Sequence, residues 1–155
     1  MLFLVDNRIL VKNRERTYLT ADNAAGDTTL TVKAVDTNAW ADNDWIIVGE
    51  IGAKNAEVMQ VNGAVADGTS LTIDQGGSGS LRFAHSANEP VYRIDYNQVE
   101  FSRATTESGS KSVLTTVEIQ PDDIETRYDD QSNETGFGFV RFYNSQTTGF
   151  PVTIN

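Results

Sequence analysis

The chain has 155 residues, and its 12 Lys and Arg against 22 Asp and Glu give a formal net charge of −10. This charge argues against nucleic acid as the main partner, because phosphate binding needs a basic face, and it disfavours an anionic membrane surface. The absence of Cys excludes disulfides, thiol catalysis and the usual structural zinc sites. Apolar residues make up 39% of the chain, which is enough for a core in one domain or two small ones.

The N-terminus combines an apolar run with a local basic patch. Residues 1–5 are apolar but stop at Asp6, which is too short for a signal peptide or a membrane span. Residues 2–5 are either an edge strand of their own domain or an arm that packs on a neighbouring subunit. We expect deletion of residues 1–6 to leave the barrel folded but to weaken association. The predicted subunit interface consists of Leu2, Phe3, Leu4, Val5, Arg8, Arg14 and Arg16.

Short apolar runs bounded by turn formers recur along the first hundred residues, and each predicts a strand. In the run 45–48, a period of two places Trp45 and Ile47 on one face and Ile46 and Val48 on the other. We expect a meander of hairpins, with residues 13–15, 50–55 and 95–98 as three of the turns. The predicted strands cover residues 8–12, 16–19, 28–32, 45–48, 56–61, 69–74, 91–94 and 99–101.

The pattern changes after residue 101. A polar connector over residues 102–112 is followed by three further strand candidates, at residues 113–119, 126–130 and 137–144. We therefore predict an all-β protein with two parts. Residues 1–103 would form a small antiparallel β-barrel or sandwich, and residues 104–155 a partial β-sandwich of the immunoglobulin or fibronectin-III type.

Three groups of residues are candidates for a chemical site. His85 is the only His, and we expect it to lie at a strand end with backbone partners, since no partner side chain is evident at a defined spacing. Glu50 and Glu57 would form a glycosidase pair only if they faced each other across a cleft. The carboxylates between residues 122 and 130 either cap turns or bind Ca²⁺, without the spacing of an EF-hand. We predict no cofactor and no enzymatic activity.

Five short motifs within residues 24–104 resemble small β-barrel modules in the virion proteins of tailed bacteriophages. The second part resembles the immunoglobulin-like or fibronectin-III-like modules that such proteins often carry, through residues 126–130 and 138–145, although the chain ends before a complete sandwich. The motifs of the first part are Thr28–Val32, Asp44–Gly49, Ala56–Val61, Leu71–Ile73 and Phe83–Ser86 with Pro90–Val91.

The resemblance implies a structural protein of the virion that binds the major capsid protein or neck and tail subunits, and that forms a homo-oligomer in the particle. Capsid decoration is the favoured role, and a head–tail connector, neck or tail component is the alternative. A carbohydrate-binding or adhesion module is the alternative from another class. It would use exposed aromatic residues, for which the candidates are Trp40, Tyr92, Tyr96 and Tyr143.

Overall fold

Strands dominate the computed structural model, which describes residues 1–132 and 135–146 together with the backbone of residues 152–153. The all-β prediction is confirmed, with 42% of residues in strands and 3% in helix. The elements are β1 (Leu2–Asp6), α1 (Arg8–Val11), β2 (Arg16–Tyr18), β3 (Thr29–Thr31), β4 (Trp45–Val48), β5 (Glu57–Val61), β6 (Ser70–Asp74), β7 (Pro90–Ile94), β8 (Gln98–Ala104), β9 (Ser112–Glu118), β10 (Glu125–Asp129), β11 (Phe137–Tyr143) and β12 (Val152–Thr153).

Six strands form one curled antiparallel sheet in the order β2-β7-β4-β5-β6-β3. Its two edge strands meet through an isolated bridge between Leu19 and Val32, just beyond the ends of β2 and β3. Backbone hydrogen bonds flank this bridge, from Lys33 N to Tyr18 O at 2.8 Å and from Thr20 N to Thr31 O at 2.9 Å. The sheet thereby rolls into a barrel, which leaves fewer backbone groups unpaired than an open sheet.

β4 lies between two hydrophobic cores. Ile46 and Val48 point into the barrel, whereas Trp45 and Ile47 belong to a second core outside it, as the period of two predicts. All four side chains are buried, because β4 is central in its sheet and both of its faces are covered. Trp40, a candidate exposed aromatic residue of the carbohydrate-binding alternative, is buried in the barrel core.

The second core fills the space between the barrel and a small sandwich. One layer of the sandwich is a four-stranded sheet in the order β12-β11-β8-β9, and the other is the two-stranded ribbon of β1 and β10. Phe3 of β1 lies 5.3 Å from Phe101 of β8 between ring centroids. A Cβ atom on Gly138 of β11 would lie only 2.6 Å from the Phe3 ring, so β1 packs directly on β11.

Two local predictions were wrong. Residues 8–12 were expected to be a strand, but Arg8–Val11 form a single helical turn. Asn7 causes the change of direction, because its buried side-chain amide donates to the carbonyl oxygens of Gln120 and Asp123 and holds the chain against the 120–123 turn. Residues 16–19 do contain a strand, β2, but it pairs with β7 and not with a strand at residues 8–12.

The expected meander was also wrong in one connection. Residues 95–98 were predicted to be the turn of a hairpin, but the strands before and after them do not pair with each other. β7 pairs with β4 and β2 in the barrel, whereas β8 pairs with β11 and β9 in the sandwich sheet. The reason is burial: Val99 and Phe101 fill the second core, and a tight hairpin would have kept their strand in the barrel wall. The predicted hairpin of β4 and β5 is confirmed.

The predicted division at residue 103 falls within β8, and three strand pairings join the two sides. β1 pairs with β10, and β8 pairs with β9 and β11. The second core likewise draws on residues from both sides. The division into two domains stays a prediction.

Candidate functional site

The predicted N-terminal interface residues alternate between the core and the surface. β1 pairs with β10 over five residues, with Leu2 opposite Asp129 and Leu4 opposite Arg127. Phe3 and Val5 are buried at 5% and 6% exposure, whereas Leu2 and Leu4 are exposed at 59% and 48%. Half of the apolar run therefore belongs to this chain's own core, and the other half forms an outward apolar pair.

The three basic residues of the predicted interface all have partners within the chain. Arg8 forms an ion pair with Asp6 at 2.7 Å, and Arg14 forms one with Asp95 at 2.7 Å. The guanidinium of Arg16 lies 5.3 Å from the centre of the Tyr18 ring. Arg14 and Arg16 share the lining of one surface depression of about 390 Å³, in which residues 2–5 take no part. The structure thus brings two of the arginines together, apart from the apolar pair.

A cluster of the buried Glu57 and His85 with the partly exposed Glu89 is the most unusual chemical feature of the described residues. The His85 ring is fully buried, with Nε2 3.1 Å from Glu57 Oε1 and Nδ1 2.7 Å from Glu89 Oε2. Both ring nitrogens therefore face carboxylate oxygens, which only accept hydrogen bonds when ionised. This geometry fits a doubly protonated, positively charged imidazolium between two carboxylates.

Backbone groups hold Glu57 in place. Its fully buried carboxylate accepts hydrogen bonds from the backbone N–H groups of Arg82 and Phe83, at 3.0 Å and 3.1 Å. The side-chain amide of Asn55 donates to both oxygens of Glu89, at 3.3 Å and 3.2 Å. The cluster thereby ties the start of β5 to the 82–89 segment that leads into β7.

The pKa shifts agree with this geometry. Burial alone would lower the pKa of His85, but hydrogen bonds and charges from Glu57 and Glu89 outweigh burial and raise it. Burial would raise the pKa of Glu57, but the hydrogen bonds from His85, Arg82 and Phe83 lower it. The pKa of Glu89 is lowered in the same way, against burial, by the Ser86 N–H and His85. All three shifts therefore favour the charged forms of these groups.

The expectation for His85 was wrong in its partners. The backbone of His85 does bridge to Asn23, as a strand-end residue would, but the ring is held by two carboxylates. One signal was available in the sequence, since Glu89 lies four residues after His85. Glu57 is 28 residues away, and nothing in the sequence indicates that the sheet brings it to the ring.

The other acidic candidates are held by structural contacts. Glu57 is fully buried, so no sugar ring can reach it, while Glu50 accepts a hydrogen bond of 3.3 Å from the Tyr92 hydroxyl. Within the described part of the chain, no group of three or more His, Cys, Asp or Glu side chains could hold a metal ion. Asp123 pairs with Arg127 at 3.1 Å, and Asp130 pairs with Arg103 at 2.7 Å.

The fold and the site together define an all-β protein with a buried, ion-paired histidine and an outward apolar pair on its first strand. No protein-family model matches the chain, and a search of curated proteins finds no match. None of the helices among the described residues is long and apolar enough to cross a membrane.

Proposed function

We propose that this chain is a non-enzymatic structural protein of a tailed-bacteriophage virion that decorates the capsid by binding its other subunits. It acts as a homo-oligomer in the particle, without nucleic acid or membrane as a partner. The resemblance of the 24–104 motifs supports the virion assignment. The all-β architecture supports it as well, because a barrel and a sandwich that share a core form a rigid body for presenting a binding surface.

The outward pair of Leu2 and Leu4 is the observation that carries the proposal. Their neighbours Phe3 and Val5 anchor the same strand in the core, so the pair is held on a fixed strand and not on a loose arm. Exposed apolar side chains next to one another on a chain of net charge −10 favour a protein partner that covers them. A rigid apolar patch also binds without the entropy cost of ordering an arm.

The aromatic candidates favour the virion role over the carbohydrate-binding alternative. Sugar-binding aromatics must present an open ring face, but Trp40 and Tyr92 are buried at 2% and 7% exposure. Tyr96 is half-buried and lies 5.9 Å from Phe142, ring to ring. Tyr143 is half-buried, and the Arg141 guanidinium lies 5.6 Å from the centre of its ring.

The experiment compares particle binding of the intact chain with that of a Leu2→Ser, Leu4→Ser double variant. Purified empty heads and purified tails are each mixed with the protein, and bound protein is measured by co-sedimentation. We expect the intact chain to sediment with heads and the double variant to lose most of this binding. Val113→Ser is the matched control, because Val113 is another exposed apolar strand residue, on β9, at 58% exposure.

Other outcomes would overturn specific parts of the proposal. Binding to tails and not to heads would replace decoration by the connector, neck or tail role. Binding to neither particle, together with signals on a glycan array, would favour the adhesion module. If the Val113→Ser control loses as much particle binding as the double variant, the loss is not specific to β1 and the apolar pair is not the contact.

A further inference from the structure

The β1–β10 ribbon covers only part of the four-stranded sheet that it packs on. The ring of Tyr128 in β10 stacks on Phe101 of β8 at 5.7 Å, and Phe3 of β1 lies against β8 and β11. The ribbon therefore lies over β11 and β8. β9 is the edge strand of the sheet, on the other side of β8 from β11. Among the described strands, the ribbon has no third strand that would lie over β9.

The inward side chains of β9 show the effect of this missing cover. Leu114 and Val117 pack against the second core but are only half-buried. Val99 and Phe101 on the neighbouring β8 face the same core and are fully buried. The sandwich thus has room for one more strand beside β10, which would cover the half-exposed side chains of β9.

The edge of β10 that faces this space offers unpaired backbone groups. Met1 and Asp130 exchange two hydrogen bonds, at 2.8 Å and 2.6 Å, so they form a hydrogen-bonded pair of the antiparallel ladder. Because such pairs alternate, the N–H groups of Glu125, Arg127 and Asp129 point away from β1. The N–H of Glu125 donates to Asp123 Oδ1 at 3.4 Å, so the edge offers the N–H groups of Arg127 and Asp129 to a partner. Among the described strands, β10 pairs with β1 alone.

Charge defines what this edge would accept. The outward side chains of β10 are those of Glu125, Arg127 and Asp129, and two more carboxylates precede them in the 122–124 turn. Arg127 is already paired with Asp123 at 3.1 Å and lies 3.5 Å from Glu125. The edge is therefore acidic on its outer side and apolar on its inner side.

We propose that the free edge of β10 binds an extended segment of a partner protein in which apolar and basic residues alternate. The segment adds to the ribbon as a third strand through backbone hydrogen bonds. Its apolar side chains cover Leu114 and Val117, and its Lys or Arg side chains lie beside Glu125 and Asp129. The assignment of this segment to a virion subunit rests on the proposed function. The free edge and its charges are features of the structure and do not depend on that assignment.

A different protein fits this edge better than a second copy of the chain. A second copy also carries a net charge of −10, so the approach of two such edges is repulsive. Within the chain, the main concentration of basic residues is the 8–16 segment. That segment is already held by α1, by β2 and by its ion pairs with Asp6 and Asp95.

The first test uses short capped peptides as probes, titrated into the intact chain by isothermal calorimetry. In one peptide Val and Lys alternate, in a second Glu replaces every Lys, and a third has the composition of the first without the alternation. We expect the alternating Lys peptide to bind about tenfold or more tighter than either control, because a few partly exposed ion pairs and a matched apolar face each add to affinity. Equal binding of the non-alternating peptide would overturn the proposal, since it would reduce the interaction to net charge.

Variants of the edge then locate the binding. Arg127→Pro removes an outward N–H without touching the ladder to β1, and Arg127→Thr is the matched control for loss of the charge. We expect Arg127→Pro to abolish peptide binding and Arg127→Thr to retain it. Leu114→Thr keeps strand propensity but removes apolar contact, and we expect it to weaken peptide binding about fivefold. This variant tests the proposal independently if Arg127→Pro fails to fold.

Amide hydrogen exchange and particle binding complete the test. Bound peptide should slow exchange at Arg127 and Asp129, and slowed exchange at another strand edge would overturn the proposal. If peptide binding is present but the Leu2→Ser, Leu4→Ser variant still binds particles, the edge is real and the proposed role of the apolar pair fails. If that double variant loses particle binding while no peptide binds, the proposed function stands and the edge proposal fails. A dimer that disappears in Arg127→Pro would identify a second copy as the occupant.

Discussion

Ile46 and Ile47 are consecutive in sequence and both fully buried, yet they lie in different hydrophobic cores. Ile46 contacts the barrel interior, and Ile47 contacts the second core that the barrel shares with the sandwich. β4 thereby joins the two halves of the fold through a single strand, since successive side chains of a strand point to opposite faces.

Truncation of either isoleucine should therefore lower the stability of the protein, but each variant should loosen a different core. We expect Ile46→Ala and Ile47→Ala each to lower the free energy of unfolding by about 2–5 kcal/mol, because each leaves a cavity in a packed core. Denaturant unfolding measures the loss. Hydrogen exchange should show faster opening of β6 and β3 in the first variant and of β1 and β10 in the second. A loss below about 0.5 kcal/mol in either variant would show that the corresponding face is not core.

Removal of the buried histidine should destabilise the protein strongly. We expect His85→Ala to cost about 3–5 kcal/mol, because Glu57 would remain buried with only the exposed guanidinium of Arg82, 3.4 Å away, as a cation. The matched variant is the double substitution Glu57→Gln, His85→Ala, which also removes the buried charge. Its loss of stability should be smaller than the sum of the two single losses, as measured by a double-mutant cycle. Strict additivity would show that the two side chains do not interact.

The same cluster predicts how stability depends on pH. The pKa of His85 is raised above 6.5, so its contribution is complete below about pH 6.5 and is lost as the pH rises through the raised pKa. The pKa values of Glu57 and Glu89 are lowered below 4.5, so their contributions are complete above about pH 4.5 and are lost as the pH falls through the lowered values. The cluster therefore stabilises the fold most between about pH 4.5 and 6.5.

Measurement of the unfolding free energy from pH 4 to pH 9 checks this profile. His85 is the only His in the chain, so little else among the side chains titrates between pH 6 and pH 8. We expect the decline of the unfolding free energy above pH 6.5 to be absent in His85→Gln. This variant is the reference for pH effects that arise from the N-terminal amine and from the net charge of the chain. An equal decline in both proteins would contradict the assignment of a charged His85.

The N-terminal strand should be part of the fold, which changes the expectation for its deletion. We expect Phe3→Ala to cost about 3–5 kcal/mol, because its ring is buried against Phe101 and Tyr128. Leu2→Ala is the matched control on the same strand, and its exposed side chain should change stability by no more than about 0.5 kcal/mol. Removal of residues 1–6 should accordingly destabilise the protein, in contrast to the expectation from sequence. Thermal melting of the truncated chain distinguishes the two outcomes.

The sequence by itself determined the strands and the class of the fold. Bulky and β-branched runs such as 45–48, bounded by turn formers, predict strands because local steric preference and the period of two act within a few residues. For the same reason, the opposite directions of Ile46 and Ile47 follow from the sequence alone. The helical turn of Arg8–Val11 does not, because the buried side chain of Asn7, which bonds to a turn more than a hundred residues away, sets the path of the chain there.

Only the tertiary structure decided which strands pair and what surrounds the buried polar groups. β7 and β8 are adjacent in sequence but separate into two sheets, because the apolar side chains of β8 are buried in the second core. The two carboxylates around His85 come from positions 28 residues before it and 4 residues after it. The side chains of residues 2–5 likewise alternate between core and surface because β1 pairs with β10, and this pairing is not evident from the sequence. Contacts between distant segments depend on how the whole core packs, and a local sequence pattern does not determine that packing.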